Sequence, residues 1–80
     1  MSETNPIFEF TVNGDPLTTI EKVLTPIQIM QLAGVDPNTN YLVQLKGNAQ
    51  ESYQGNPNTE IHMHQKMEFI TLFTGPTQVA

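Results

Sequence analysis

The 80-residue sequence contains no cysteine and no arginine. Without cysteine there can be no disulfide framework, no thiol nucleophile and no zinc site built on thiolates. The chain must therefore be stabilised by packing, as one small domain that buries only about 60–65% of its unfolded surface. Such a core has little room for a ligand cavity of the usual ~300–1,000 Å³, so we expect surface recognition and no cofactor.

Charged residues are also scarce, at 14% of the chain, and 8 acids against 3 lysines give a net charge of −5. A phosphate backbone would be repelled by this balance, so nucleic acid is not an expected partner. No apolar run approaches the ~18–20 residues of a membrane span, and residues 1–3 begin without the basic and apolar segments of a signal peptide. We expect a cytoplasmic protein that does not enter a membrane.

The first structural signal is an antiparallel hairpin. Apolar and polar residues alternate from Ile7 to Val12, which predicts a half-buried strand. Asn13-Gly14 is the dipeptide that most readily accepts the positive φ angles of a hairpin turn, and Asp15-Pro16 would complete the reversal. Leu17 to Ile20 is rich in β-branched residues and is predicted to return beside the first strand.

A capped helix follows the hairpin. Thr25-Pro26-Ile27-Gln28 combines a Thr N-cap, Pro at the first helical position and Gln at N3, which together predict a capping box. Leu24 and Ile29 occupy the two positions of a hydrophobic staple. Gly34 is placed to end a helix of about ten residues in the left-handed conformation.

The remaining residues predict a sheet for this helix to cover. The segment "YLVQLK" is a third strand, and residues 47–58 are a polar excursion anchored by Tyr53. Two further strand-like runs, "EIHMH" and "MEFITLF", are joined near Gln65-Lys66, and the last is expected to run parallel to the first. The predicted fold is an α+β β-grasp over residues 7–73, with a flexible segment 1–6 and an extended tail 74–80.

Three stretches, "FEFTVNG", "LTPIQIMQLAGV" and "EIHMHQKMEF", resemble bacterial ubiquitin-like proteins of the multiubiquitin type over residues 7–73. That family occurs in operons with E1-like, E2-like and JAB-protease-like partners. The resemblance implies a protein modifier, in some cases part of antiviral defence, that is activated at its C-terminus and conjugated to target proteins. Such a modifier is not itself an enzyme, because its partners supply the thioester chemistry.

The tail departs from the terminal Gly-Gly of the best-known modifiers. Its single glycine is Gly75, followed by Pro76, and the sequence ends at Ala80. Trimming after Gly75 would give a glycine end, although Pro76 disfavours many proteolytic geometries. The intact tail would instead present Ala80, which has the next smallest side chain. Both are candidate conjugation ends.

Other constellations give weaker signals. His62 and His64 lie on one face of a strand, but a metal site needs three or four ligands, so exposed histidines that flank a buried Met63 are the better interpretation. Ser2 and Ser52 lack a recognisable base, and the glycines of "GNAQESYQG" lack the Lys-Ser or Lys-Thr of a phosphate loop. The sequence therefore predicts no catalytic residue and no metal site.

An apolar patch on the outer side of the sheet is the remaining candidate site. If Val43, Leu45, Phe69 and Phe73 face the helix, alternation turns Leu42, Ile70 and Leu72 outward. We expect Leu42, Ile70 and Leu72 to form a partner-binding patch. The alternative function is a β-grasp module that binds partners, or other copies of the chain, without covalent attachment.

Overall fold

The computed structural model describes residues 6–74, which form one helix and seven strands. The elements in chain order are β1 (Phe8–Val12), β2 (Asp15–Thr19), β3 (Val23–Leu24), α1 (Pro26–Leu32), β4 (Asn40–Lys46), β5 (Ala49–Ser52), β6 (Ile61–His62) and β7 (Met67–Phe73). No helix in this part of the chain is long and apolar enough to cross a membrane.

Five strands form a mixed sheet in the order β2-β1-β7-β4-β5. β1 pairs antiparallel with β2 and parallel with β7, while β4 is antiparallel to both β7 and β5. The predicted α+β architecture is confirmed: one helix packs on a mixed sheet with a parallel pair, an arrangement compatible with a β-grasp fold. The last strand lies at the centre of the sheet, as its length and apolar content require.

The β1–β2 turn is formed by Asn13 and Gly14, whose φ angles are 55° and 84°. The prediction for this dipeptide is confirmed, because both positions need the left-handed conformation that Asn and Gly tolerate best. Asp15 and Pro16 do not belong to the turn, however, since Asp15 already pairs with Val12 and Pro16 with Thr11. A proline fits there because β2 is an edge strand.

The helix begins as predicted. Thr25 caps it by accepting a hydrogen bond from the Gln28 backbone at 3.2 Å, and the Gln28 side chain accepts one from the Thr25 backbone at 2.9 Å. These two bonds complete the capping box and satisfy amides that would otherwise lack partners. The start of α1 is therefore fixed by local residues.

The helix ends after seven residues, earlier than the predicted ten. Gly34 has a φ of 76°, and its N–H bonds to the Gln31 carbonyl at 3.1 Å. The Val35 N–H bonds to the Met30 carbonyl at 2.8 Å. This pair of bonds is a Schellman motif, which tightens the last turn and shortens the regular helix.

The core lies between α1 and one face of the sheet, which we call the inner face. Phe10 and Phe69 meet edge to face there, with ring centroids 6.0 Å apart. Ile29 and Met30 cover them from the helix, and both are almost completely buried. The core is completed by Val12, Leu24, Leu42, Tyr53, Ile61, Met63 and Met67.

The strand that follows the polar segment, β6, forms a short second sheet with β3, which the sequence did not predict. β3 and β6 pair antiparallel, with Val23 opposite His62 and Leu24 opposite Ile61. The segment "EIHMH" therefore contributes only two residues to a strand. The expected edge strand within residues 47–58 is present as β5, and Tyr53 is the buried anchor.

Candidate functional site

The facing of β7 agrees with the prediction at its centre. Phe69 is buried in the core, so its neighbours Ile70 and Leu72 project from the opposite, outer face of the sheet. Ile70 is half-buried and Leu72 is 41% exposed. Phe73 shares the inner side by alternation, but its side chain is 68% exposed and is not part of the core.

The facing of β4 is the reverse of the prediction. Leu42 is completely buried in the core and cannot belong to an exposed patch. The register explains this, because residues directly opposite in an antiparallel pair share a face. Gln44 lies opposite Phe69 and Val43 opposite Ile70, so Val43 and Leu45 face outward.

The outer face thus carries a wider apolar cluster than expected. We call it the outer patch, and it consists of Tyr41, Val43, Leu45, Ile70 and Leu72. Val43 is buried, at 4% exposure, yet it is not part of the main core cluster, and Tyr41, Leu45 and Ile70 are half-buried. No helix or strand of residues 6–74 packs against this side of the sheet, so the described fold leaves the patch uncovered.

Polar residues surround the outer patch. On one side β5 places Ser52 opposite Val43 and Gln50 opposite Leu45. On the other side β1 places Thr11 beside Glu68. A hollow of about 290 Å³ at that edge is lined by two carboxylates, Glu9 and Glu68, and one ammonium group, that of Lys66. An apolar centre with a polar rim is the usual anatomy of a protein-binding surface.

A second surface feature lies at the far end of β2. An open groove of about 600 Å³ runs between α1 and the segment that follows β2. Ile20 and Leu32 border it and are 55% and 50% exposed. Glu21 is the only charged residue that lines it. The groove lies next to an edge strand, where backbone groups can pair with an added strand.

The electrostatics of the described residues show no activated group. Lys46 forms an exposed ion pair with Glu51, and the hydrogen bond to that carboxylate raises the pKa of Lys46. Burial raises the pKa of Tyr53, whose hydroxyl donates to the Gln44 side chain at 3.2 Å. The ion pair thus favours the charged form of Lys46, and burial favours the neutral hydroxyl of Tyr53.

His62 and His64 are exposed and flank buried Met63, as predicted. Over residues 6–74, no group of three His, Asp or Glu side chains is arranged to hold a metal ion. The candidate conjugation residues Gly75 and Ala80 lie outside the described residues. The last described residue, Thr74, donates its backbone N–H to the Thr39 carbonyl at 2.7 Å.

Sequence reasoning found two members of the outer patch and missed Tyr41, Val43 and Leu45. Within β4 there is no signal that could have found them, because both alternating sets contain large aliphatic residues. The register between β4 and β7 decides the facing, and that register depends on contacts distant in sequence.

Comparisons with protein-family models, with curated proteins and with solved structures gave no match to this chain.

Proposed function

We propose that this chain is a ubiquitin-like protein modifier that its partners recognise through the outer patch. The observation that carries the proposal is the composition of β4. Its inner face has one large aliphatic residue, Leu42, whereas its outer face has Tyr41, Val43 and Leu45. A strand that turns its more apolar side away from the helix leaves that side without a covering layer in the described fold, and a binding partner would supply one.

The proposed partners are an E1-like and an E2-like enzyme, a JAB-like protease and the target proteins. Support for them comes from the family resemblance, together with the β-grasp strand order. The E1-like enzyme would activate the terminal carboxylate with ATP and pass it to a cysteine, and an amine would attack the thioester. This chemistry suits the bacterial cytoplasm, and we include antiviral defence in the proposal.

The proposal is tested by adduct formation. The purified chain is incubated with its E1-like partner and ATP, and intact-mass measurement detects the covalent complex. Removal of residues 75–80 should abolish the adduct while leaving the fold intact, because β7 already ends at Phe73. The matched control is Asn48→Ala, a change in the β4–β5 turn, at the opposite end of β4 from Phe73, which should react like the parent. An adduct that persists without residues 75–80 would refute activation at the tail.

A second candidate function is a non-conjugated interaction or self-assembly module. The specific observation in its favour is the groove beside β2, which is bordered by exposed Ile20 and Leu32. A module of this kind would depend on the groove and not on residues 75–80. Ile20→Asp would then reduce self-association in sedimentation experiments, and the tail deletion would not. The opposite result favours the modifier.

A further inference from the structure

Three hydrogen bonds of Asn13 attach the Asn13-Gly14 turn to β7, the central strand of the sheet. Its backbone N–H donates to the Phe69 carbonyl at 2.9 Å. Its side-chain oxygen accepts from the Thr71 backbone N–H at 2.9 Å, and its side-chain nitrogen donates to the Thr71 hydroxyl at 2.8 Å. The two bonds to Thr71 connect residues 58 positions apart, and all three bonds join the first hairpin to the last strand.

The same dipeptide is the most reactive sequence for spontaneous loss of an amide group. Glycine after asparagine leaves its backbone nitrogen unobstructed, because it has no Cβ. That nitrogen releases its proton to solvent base and bonds to Asn13 Cγ, the Cγ–Nδ2 bond breaks, and ammonia leaves. Water then opens the succinimide ring at either carbonyl to give aspartate or isoaspartate. Asn13 is the only asparagine in the chain that glycine follows.

We infer that Asn13 is a deamidation site that the fold suppresses through Thr71 and that local opening of the turn exposes. Ring closure requires Asn13 Cγ to approach the Gly14 nitrogen, which the two side-chain hydrogen bonds to Thr71 oppose. The reaction must therefore proceed through an opened turn, and its rate follows the population of that opened state.

The two products of the reaction would differ in this attachment. Aspartate keeps an oxygen that can accept from the Thr71 N–H, and its second carboxylate oxygen can accept from the Thr71 hydroxyl, so this product can retain both contacts. Isoaspartate routes the backbone through the former side chain and adds one carbon to a two-residue turn. In the isoaspartate product the attachment of the hairpin to β7 is weakened at Thr71, which lies between Ile70 and Leu72.

The test measures conversion at Asn13 by peptide mass mapping at mildly alkaline pH, in buffer and in denaturing urea. Asn48, in the β4–β5 turn and followed by alanine, is the internal comparator. In urea Asn13 should convert faster than Asn48. In buffer its rate should fall by about tenfold or more, since several hydrogen bonds of ordinary strength must open first. Equal rates at Asn13 in the two conditions would overturn the inference.

Two variants assign the protection to Thr71. Thr71→Val removes the hydroxyl, and it should raise the conversion rate in buffer roughly fivefold, as expected for one lost hydrogen bond. Thr71→Ser keeps the hydroxyl and should react like the parent. A parallel denaturant titration measures global stability, so that an acceleration caused by unfolding is recognised. If Thr71→Val matched the parent in buffer, the Thr71 hydroxyl would not protect Asn13, contrary to the inference.

Amide hydrogen exchange checks the structural consequence without any binding partner. The charge difference allows the modified chain to be separated by ion exchange. In the isoaspartate fraction, resolved from the aspartate product by reversed-phase chromatography, the Thr71 amide should exchange faster than in the unmodified chain, while amides in α1 should be unchanged. Unchanged exchange at Thr71 would show that the attachment survives the modification, contrary to the inference.

Discussion

The inner and outer faces of the sheet carry similar amounts of aliphatic side chain but differ in what lies over them. On the inner face, Phe10 and Phe69 are enclosed by α1 and the loop that ends at β6. On the outer face, Ile70 and Leu72 lie beside Val43 and Tyr41 of β4, but no helix or strand of residues 6–74 packs over them. Apolar composition alone therefore does not identify the core of this domain. The placement of the helix decides which face is core and which remains available for partners.

The largest expected effect is that of Leu42→Ala. Leu42 is completely buried, so the substitution should lower the free energy of unfolding by about 3 kcal/mol through lost burial and a new cavity. Urea unfolding followed by circular dichroism measures this loss. Leu45→Ala is the matched control, with the same chemistry on the same strand but on the outer face. It should cost about 1 kcal/mol or less. Equal losses would contradict the assigned facing of β4.

Ile70→Asp tests whether the outer face serves partner binding and is not needed for folding. The charged side chain lies beside Val43 and should weaken binding to the E1-like partner by about 2 kcal/mol, or roughly thirtyfold in Kd. Calorimetry measures the affinity, and near-UV circular dichroism monitors the fold. Ile20→Asp places the same charge on an exposed isoleucine outside the outer patch and should bind normally. A collapse of the near-UV spectrum in Ile70→Asp would show that Ile70 belongs to the core.

Thr25→Ala tests whether α1, which covers the inner face, can be destabilised without changing binding at the outer patch. Loss of the N-cap bond to Gln28 should destabilise the domain by ~1 kcal/mol. Thermal unfolding detects the change, and partner affinity should stay at the parent value because the outer patch is untouched. Thr25→Ser keeps a capping hydroxyl and should recover most of the stability. A Thr25→Ala protein that melts like the parent would place the helix start elsewhere.

The smallest expected effect is that of Lys46→Ala, which removes the exposed ion pair with Glu51. Exposed pairs contribute little, so the melting temperature near neutral pH should not change measurably. The folded-state pKa of Lys46 is raised above 10.5, so any contribution is fully present below that pH. It is lost as the pH rises through the raised value. A clear loss of stability in Lys46→Ala at pH 7 would contradict the expectation that this exposed ion pair contributes little.

Much of the fold follows from short-range signals in the sequence. The helix limits depend on Thr25, Gln28 and Gly34, each of which acts within one or two turns of its own position. The first hairpin depends on Asn13-Gly14. These features could be predicted because the residues that cause them are adjacent in the chain.

The missed features depend on contacts between distant segments. β3 and β6 have two residues each, too few for alternation to reveal them. On β4, the outward set of Tyr41, Val43 and Leu45 is more apolar than the inward set, so the pattern predicts the wrong facing. The facing of β4 is decided by its register with β7, in which Val43 lies opposite Ile70. A strand that contradicts the rule of apolar residues inward is often a functional one.

The most direct test of the outer patch is a nuclear magnetic resonance titration of the labelled chain with its E1-like partner. If the outer patch is the binding surface, shift changes will concentrate at Val43, Leu45, Ile70 and Leu72 and leave Ile20 and Leu32 unaffected. Changes confined to the groove at Ile20 and Leu32, with the outer patch silent, would contradict the proposed role of the uncovered face.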